Sequence, residues 1–290
     1  MEMNLCRWMQ NLNGKKPVLQ YNIPGTHDSV TQYVQFSHVT KCQNRNIYEQ
    51  LCLGIRMIDI RVESKMERLK MVHAFAKAFN TPNRLGKQMD MEDVLNHCYR
   101  FLSENPSETI LFLFKNDSRE LDEPCAHNLF YTYIEKDRDK WFLENRIPDL
   151  DEVRGKIVLL NRCNAEAGKG FGINCSHWED QGETVPNPLP LETGGEHSEI
   201  FMIQDRYMYK PKEKWAEAVK PFLDQAEEFN GTYIINYLST AGGIKGPYKN
   251  SEYINPRLLQ YPLKKGYYYG IICCDFPTRE LTHKIIETNL

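Results

Sequence analysis

Apolar runs of strand length recur along the chain and alternate with segments of helical spacing. Residues 18–23 lead into Pro24-Gly25-Thr26-His27-Asp28-Ser29, residues 53–58 into Asp59-Ile60-Arg61, and residues 69–72 into His73. Residues 109–114 end at Lys115, 156–161 at Arg162, and 200–204 at Asp205, with Tyr207 two positions on. Residues 233–238 and 268–274 complete the set, the last delivering Asp275. Continuous apolar runs, rather than strict alternation, suit strands covered on both faces, as in parallel sheets. Between them, residues 91–104 place Val94, Leu95, Cys98, Phe101 and Leu102 on one stripe, and Asn105-Pro106 supplies the stop. Residues 124–141, 212–229 and 278–288 show the same helical spacing, with Trp215, Ala218, Val219 and Phe222 on one face of the second.

Eight strands with intervening helices predict a single α/β domain over residues 1–290, an irregular TIM-like (β/α)8 barrel. Residues 59–69 leave no room for a full helix, so the second and third strands are expected to join more simply. Seven of the eight runs finish at a charged residue or a histidine. In a barrel those C-terminal ends open onto one rim, where active sites are built. The segment 163–198 lacks periodicity and carries Gly168, Gly170, Gly172, Pro186, Pro188, Pro190, Gly194 and Gly195. It exceeds the ~12–15 residues beyond which a structureless loop is usually functional or disordered. It and the Gly-rich stretch 241–248 are expected on the same rim.

Composition narrows this picture. The chain has 290 residues, 41% of them hydrophobic, enough for a large core. Barrels of ~250 residues fold as one domain. A formal charge of −3 and a pI near 6.3 argue against a general nucleic-acid binder. The apolar runs fall short of the ~20 residues that cross a bilayer. The first ten residues are mixed and show no apolar leader core. Nine cysteines are scattered with no C-x-x-C pair, which indicates neither a zinc site nor a disulfide scaffold. Several sit in apolar runs and behave as small hydrophobes.

The candidate chemistry lies at His27, Asp59-x-Arg61 and His73. Two imidazoles, one to take a proton and one to give it, plus a fixed cation, can move a phosphoryl group without a metal. Alternation puts Asp59 and Arg61 on one strand face, which suits a structural ion pair as well as a site. A lone His27 after Gly-Thr can also cap a turn, and Lys115 and Arg162 can also be solvated strand ends. The other histidines (His38, His97, His127, His177, His197 and His283) read as surface or core residues.

Together, Pro-Gly-Thr-His27-Asp28-Ser, Gly-Ile-Arg-Met-Ile-Asp59-Ile-Arg61 and His73 resemble the X-domain of bacterial phosphatidylinositol-specific phospholipase C. The resemblance continues through Lys115, Arg162, Asp205-Arg-Tyr207 and Asp275. It implies an irregular TIM-like barrel and an intramolecular phosphoryl transfer. The inositol 2-hydroxyl attacks the phosphodiester, expels diacylglycerol and leaves inositol 1,2-cyclic phosphate; glycosylated lipid anchors are a further substrate class. His27 is then expected as general base, His73 as general acid, and Arg61 as the partner of the phosphate oxygens. Asp275 is expected to orient His27, Asp28 to orient His73, and Asp59 to complete the network around Arg61. Lys115, Arg162, Asp205 and Tyr207 are expected to hold the inositol. Ala74 after His73 departs from the glycine usual in the family.

Related animal enzymes bind calcium around the catalytic histidine. An arginine at position 61 supplies that charge from the protein, so no metal and no other cofactor is expected. Expected partners are a phosphatidylinositol-type lipid and, transiently, a membrane surface. Tyr33, Val34, Phe36 and Trp178 are candidates for interfacial insertion or, equally, for loop packing. No nucleic-acid partner is expected, and a monomer is. The family is mostly secreted, which gives an extracellular expectation, with a cytoplasmic location as the open alternative. Two alternatives stay open: a metal-dependent glycerophosphodiesterase or sphingomyelinase D type barrel, and a non-catalytic inositol-lipid binding barrel.

Overall fold

The computed structural model describes residues 3–83, 86–118, 122–182, 188–243 and 245–290. Its first strands are β1 (Ile23–Thr26), β2 (Tyr33–Val34), β3 (Met57–Lys65), β4 (Arg68–His73) and β5 (Ala76–Phe79). Then come β6 (Ile110–Asn116), β7 (Trp141–Phe142), β8 (Ile157–Asn161) and β9 (Ile173–Asn174). The last are β10 (Leu189–Glu192), β11 (Ile200–Gln204), β12 (Thr232–Tyr237) and β13 (Ile271–Cys274). A parallel path runs β11-β12-β13-β1-β3-β6-β8, with β7 and β9 also parallel to β8 and β10 antiparallel to β11. Among the described residues no ladder joins the two ends, so the barrel is an unclosed one.

Alternation along the parallel strands separates two apolar layers, as barrel geometry requires. Met57, Leu111, Leu113, Val158, Leu160, Ile203, Ile235 and Cys273 point inward and pack together. Their neighbours Ile58, Ile60, Phe112, Phe114, Ile157 and Leu159 point outward, under helix Met91–Glu104 and its neighbours. Gly25 lets β1 sit between β3 and β13: a Cβ there would lie 3.0 Å from Cys273 Sγ and 3.2 Å from Met57 Cβ.

Several expected elements differ. Residues 18–20 form a 3₁₀ turn after Pro17, and the first strand comes later, over the Pro24-Gly25 that reads as a breaker. Leu53 and Gly54 close the helix Ile47–Cys52, Gly54 at φ +104°, so β3 begins at Met57 and carries Asp59 and Arg61 within it. The third expected strand exists as β4, but it folds back antiparallel on β3 through Met66 and Glu67 at φ +51° and +55°. That two-residue hairpin takes β4 out of the parallel path and confirms the simpler join. The helix expected over 124–141 stops at Ile134, gives a 3₁₀ stretch, and ends as β7. The Gly-rich segment 241–248 passes into helix Gly246–Gln260, which holds Pro256 inside it. The aperiodic segment 163–198 contributes β9 and β10; Pro186 and Ile244 lie outside the described residues. All nine cysteines are free thiols, and no described helix is long and apolar enough to cross a membrane.

Candidate active site

The site grows from the C-terminal end of β1. The His27 N–H continues the ladder to the Cys274 carbonyl at 3.3 Å, which sets the imidazole at the rim. Asp28 then takes φ +43°, a left-handed turn that aspartate tolerates better than most residues, and its carboxylate ends fully buried beneath the site. Ser29 and Asp59 lock this turn to β3: Ser29 N–H donates to the Asp59 carbonyl at 3.0 Å, and Asp59 N–H to Ser29 Oγ at 2.9 Å.

Asp28 is the hub. One oxygen, Oδ2, lies 3.0 Å from His27 Nε2 and 3.1 Å from His73 Nε2. The other, Oδ1, lies 3.3 Å from Arg61 Nε. Neither oxygen is aligned for a well-formed hydrogen bond, so these contacts hold by charge rather than direction. Arg61 is shared, its other nitrogen donating to Asp59 Oδ2 at 2.9 Å. Asp59 Oδ2 also accepts the Asp28 N–H at 3.4 Å.

Each imidazole is held from its far side. His27 Nδ1 meets Asp275 Oδ1 at 2.9 Å, and the Asp275 carbonyl accepts from Asn255 Nδ2 at 2.9 Å. His73 Nδ1 donates to the Thr40 carbonyl at 2.6 Å, which keeps a proton on that nitrogen and turns Nε2, the position that a second proton would take, to Asp28. The rings meet edge-to-face, centroids 5.8 Å apart. Burial opposes charge on His27, but the carboxylates of Asp28 and Asp275 outweigh it and hold the imidazole well above its usual range. Burial likewise opposes charge on Asp28, yet Arg61, His73 and His27 together hold its carboxyl far below the usual carboxylate range. Three carboxylates therefore face one guanidinium and two imidazoles, and the set is neutral when both imidazoles are in the imidazolium form.

A cavity of about 460 Å³ opens above this hub. His27, Arg61, His73, Lys115, Arg162, Asp205, Tyr207 and Asp275 all line it, so eight of the ten expected residues share one cavity; Asp28 and Asp59 are buried beside it. Lys115 pairs with Asp117 at 2.7 Å, and the Arg162 guanidinium stacks 4.1 Å from the Trp178 ring centre. The Tyr207 hydroxyl donates to Asp180 Oδ1 at 2.8 Å. Asp117 and Asp180 line the cavity too and escaped sequence reasoning, because single carboxylates in loops carry no periodic signal.

Two sequence-level points change. Asp28 was expected to serve His73, and it touches both histidines. Of the four candidates for a membrane interface, Val34 and Trp178 are buried, Tyr33 is half-buried, and Phe36 is 53% exposed. Ala74, where the family usually has glycine, sits at φ +51°, a conformation in which glycine is unstrained and alanine is not.

Among the described residues, His27, Asp28 and Cys42 place ligand atoms within 4.8 Å of one another. The fit to a divalent ion is poor. Arg61 already faces the same carboxylate, and burial pushes the Cys42 thiol far up, so it stays protonated and neutral.

Residues 15–163 match the family model of phosphatidylinositol-specific phospholipase C, X domain. The chain belongs to that family. Over 304 aligned residues it is 27% identical to the 1-phosphatidylinositol phosphodiesterase of Listeria monocytogenes, covering 98% of this chain and 84% of that one. The 1-phosphatidylinositol phosphodiesterase of Staphylococcus aureus (strain Newman) is 29% identical over 280 residues, 87% of this chain and 81% of the relative. The phosphatidylinositol-specific phospholipase C structure from L. monocytogenes superposes with a TM-score of 0.77 at 24% identity, over 99% of this chain and 100% of that one. A point mutant of the phosphatidylinositol-specific phospholipase C from S. aureus gives 0.80 at 24% identity, over 100% and 99%. These structural likenesses establish the TIM-like barrel expected from the strand count. The X-domain match takes in His27, Asp28, Asp59, Arg61, His73, Lys115 and Arg162; Asp205, Tyr207 and Asp275 lie beyond it, within the span of the longer relatives.

Proposed function

We propose that this protein is a phosphatidylinositol diacylglycerol-lyase that works without a metal, through a His27–Asp28–His73 centre. The observation that carries the reading is the single buried carboxylate lying within about 3 Å of both imidazoles and Arg61, at the floor of one cavity. In the reaction, His27 Nε2 takes the proton of the inositol 2-hydroxyl as its oxygen bonds to phosphorus. The phosphorus–glycerol oxygen bond breaks, and His73 Nε2 gives its proton to the departing diacylglycerol oxygen. Arg61 faces the non-bridging phosphate oxygens, where a planar guanidinium can offer two parallel donors.

Both histidines then finish with proton positions exchanged, and solvent resets them. Attack within one bound molecule supplies the entropic part of the acceleration, with effective molarities of ~10⁵ M or more. Lys115, Arg162 and Asp205 present charged groups to ring hydroxyls, and Tyr207 offers its ring face. Burial and the neighbouring Asp180 push the Tyr207 phenol up to about 12, so it stays a neutral donor.

We assign the lipid side of the cavity to the apolar residues of its lining. Val39, Ala74 and Pro247 line it, and Phe36, Phe75 and Tyr248 stand 53%, 67% and 52% exposed nearby. The rings of Phe36 and Phe75 lie 5.7 Å apart. Aromatic side chains favour the membrane–water zone, so this rim is where we place the transient contact with the bilayer. We propose a monomer as the working unit.

The test is cleavage of phosphatidylinositol vesicles in EDTA, followed by release of inositol 1,2-cyclic phosphate, with His27→Ala as the inactive control. Cyclic product in EDTA is expected. Loss of activity in the chelator would favour a metal-dependent phosphodiesterase, and no turnover with retained lipid binding would favour a binding barrel.

A further inference from the structure

Lys214 is a fully buried lysine behind the cavity wall, outside the set of groups that face the substrate. It opens the stretch Lys214–Val219, where the helix beginning at Pro211 widens into π turns, an irregularity frequent beside functional sites. Its Nζ donates to Gln204 Oε1 at 2.7 Å and to the Arg206 carbonyl at 2.7 Å. Those acceptors flank Asp205 in sequence. Gln204 Oε1 also accepts the Arg206 N–H at 2.9 Å, while Gln204 Nε2 donates to Asn236 Oδ1 at 2.7 Å and the Tyr237 carbonyl at 2.8 Å. The end of β11 is therefore wound around one ammonium and tied through Gln204 to β12.

Packing alone does not ask for a charge in that position. A methionine has similar reach, and withdrawing an ion from water is unfavourable until its partners offset it. Burial lowers the Lys214 pKa to about 7, Asp205 and Asp275 opposing the change and Arg206 adding to it. What the ammonium provides is two short charge-assisted hydrogen bonds on either side of a residue that lines the cavity. One of them holds the carbonyl immediately before Tyr207, whose own carbonyl is held by the Ala241 N–H at 2.7 Å.

We propose that Lys214 is a positioning residue for headgroup binding, fixing the backbone from which Asp205 and Tyr207 reach into the cavity. The inference rests on the reading of that cavity as the inositol site. Lys214 touches neither substrate nor reacting groups. Its effect falls on ring binding, because its two hydrogen bonds go to residues flanking Asp205, while His27, His73 and Arg61 come from the turn after β1, the end of β4 and β3.

The experiment uses the full chain carrying Lys214→Met, assayed for cleavage of phosphatidylinositol in detergent micelles and for inhibition by free myo-inositol. KM and the myo-inositol Ki are expected to rise about tenfold, the scale of one charge-assisted hydrogen bond, with kcat changed less than about threefold. A folded Lys214→Met protein with an unchanged Ki, or with kcat lost and Ki intact, overturns the inference. Should methionine prevent folding, Lys214→Gln keeps an N–H donor group without the charge or the full reach and is expected to raise Ki about threefold; an unchanged Ki there is equally fatal. Asp205→Ala is measured alongside. If it leaves Ki unchanged, the headgroup reading has failed; if it raises Ki while the Lys214 variants do not, the positioning inference alone has failed.

Discussion

Asp28→Asn removes the charge at the hub and keeps its shape. The wild-type carboxylate lies 3.0 Å from His27 Nε2, 3.1 Å from His73 Nε2 and 3.3 Å from Arg61 Nε, with no solvent exposure. At an effective dielectric near 20, a charge pair at about 3 Å interacts by roughly 5 kcal/mol, an upper bound for each contact. Two effects reduce the net change. Asp275 still faces His27 at 2.9 Å, and Asp59 still holds Arg61 at 2.9 Å. In the wild type His27 is held well above its usual range, so the neutral base forms late as pH rises. The acid limb of kcat/KM in the wild type is therefore expected above pH ~6.5.

In Asp28→Asn that limb should move toward acid by about one pH unit or more, equivalent to ~1.4 kcal/mol. His73 loses the partner of its Nε2 proton as well, so kcat should fall by about 10²–10³, within the range of one general acid or base. Stability provides a second reading. The depressed Asp28 carboxyl stabilises the fold above its unfolded value near 3.9, and that contribution is lost as pH falls through the folded value. The raised His27 stabilises below its unfolded value near 6.5, and its contribution is lost as pH rises through the folded one. The wild-type cluster should thus contribute most between about pH 4 and 6.5, and the variant should lose that advantage. Thermal melts and kcat/KM profiles from pH 4 to 9 measure both. A wild-type limb at or below ~6.5, or a limb unmoved by the substitution, would refute the assignment of His27 as a base held up by Asp28.

Arg61→Lys keeps a positive charge but loses the fork that spans Asp28 and Asp59, so kcat should fall by about 10²-fold or more with KM little changed; near-wild-type kcat would argue for simple charge neutralisation. Ala74→Gly relieves a left-handed backbone at φ +51° on an exposed turn and should stabilise by about 1 kcal/mol, raising Tm by about 2–4 °C; a lower Tm would show that Ala74 is not strained. Phe36→Ser with Phe75→Ser should weaken vesicle binding about tenfold or more, each ring losing ~2 kcal/mol of transfer, while cleavage of a soluble short-chain substrate stays within about twofold. Equal loss on both substrates would place the rings in folding rather than at the bilayer.

The strand-end residues were legible because a parallel barrel converts a one-dimensional rule into a place. Whatever follows an apolar run emerges on one rim, so His27, Lys115, Arg162, Asp205 and Asp275 could be gathered before any coordinate was known. Apolar periodicity also foretold helices Met91–Glu104 and Arg279–Glu287. It missed β1, since Pro24 and Gly25 look like breakers and act as a strand through the close approach of β3 and β13. It missed helix Gly246–Gln260, whose opening Gly246-Pro247 and internal Pro256 outweigh its weak apolar stripe. It placed β4 in the barrel, because a hairpin and a crossover begin from the same apolar run and differ in the turn that follows.

The sequence by itself determined the class of fold, the inventory of reacting groups and their order along the chain, because these depend on local pattern and residue chemistry. Tertiary structure alone decided that Asp28 stands between both imidazoles, that Trp178 lies under Arg162 rather than at a membrane, and that Lys214 grips the strand end bearing Asp205. These contacts depend on how the chain folds back at the rim: Asp28 meets His73 from another strand, Trp178 returns from a loop beneath Arg162, and Lys214 reaches back from its helix to the end of β11, and apolar periodicity encodes none of them.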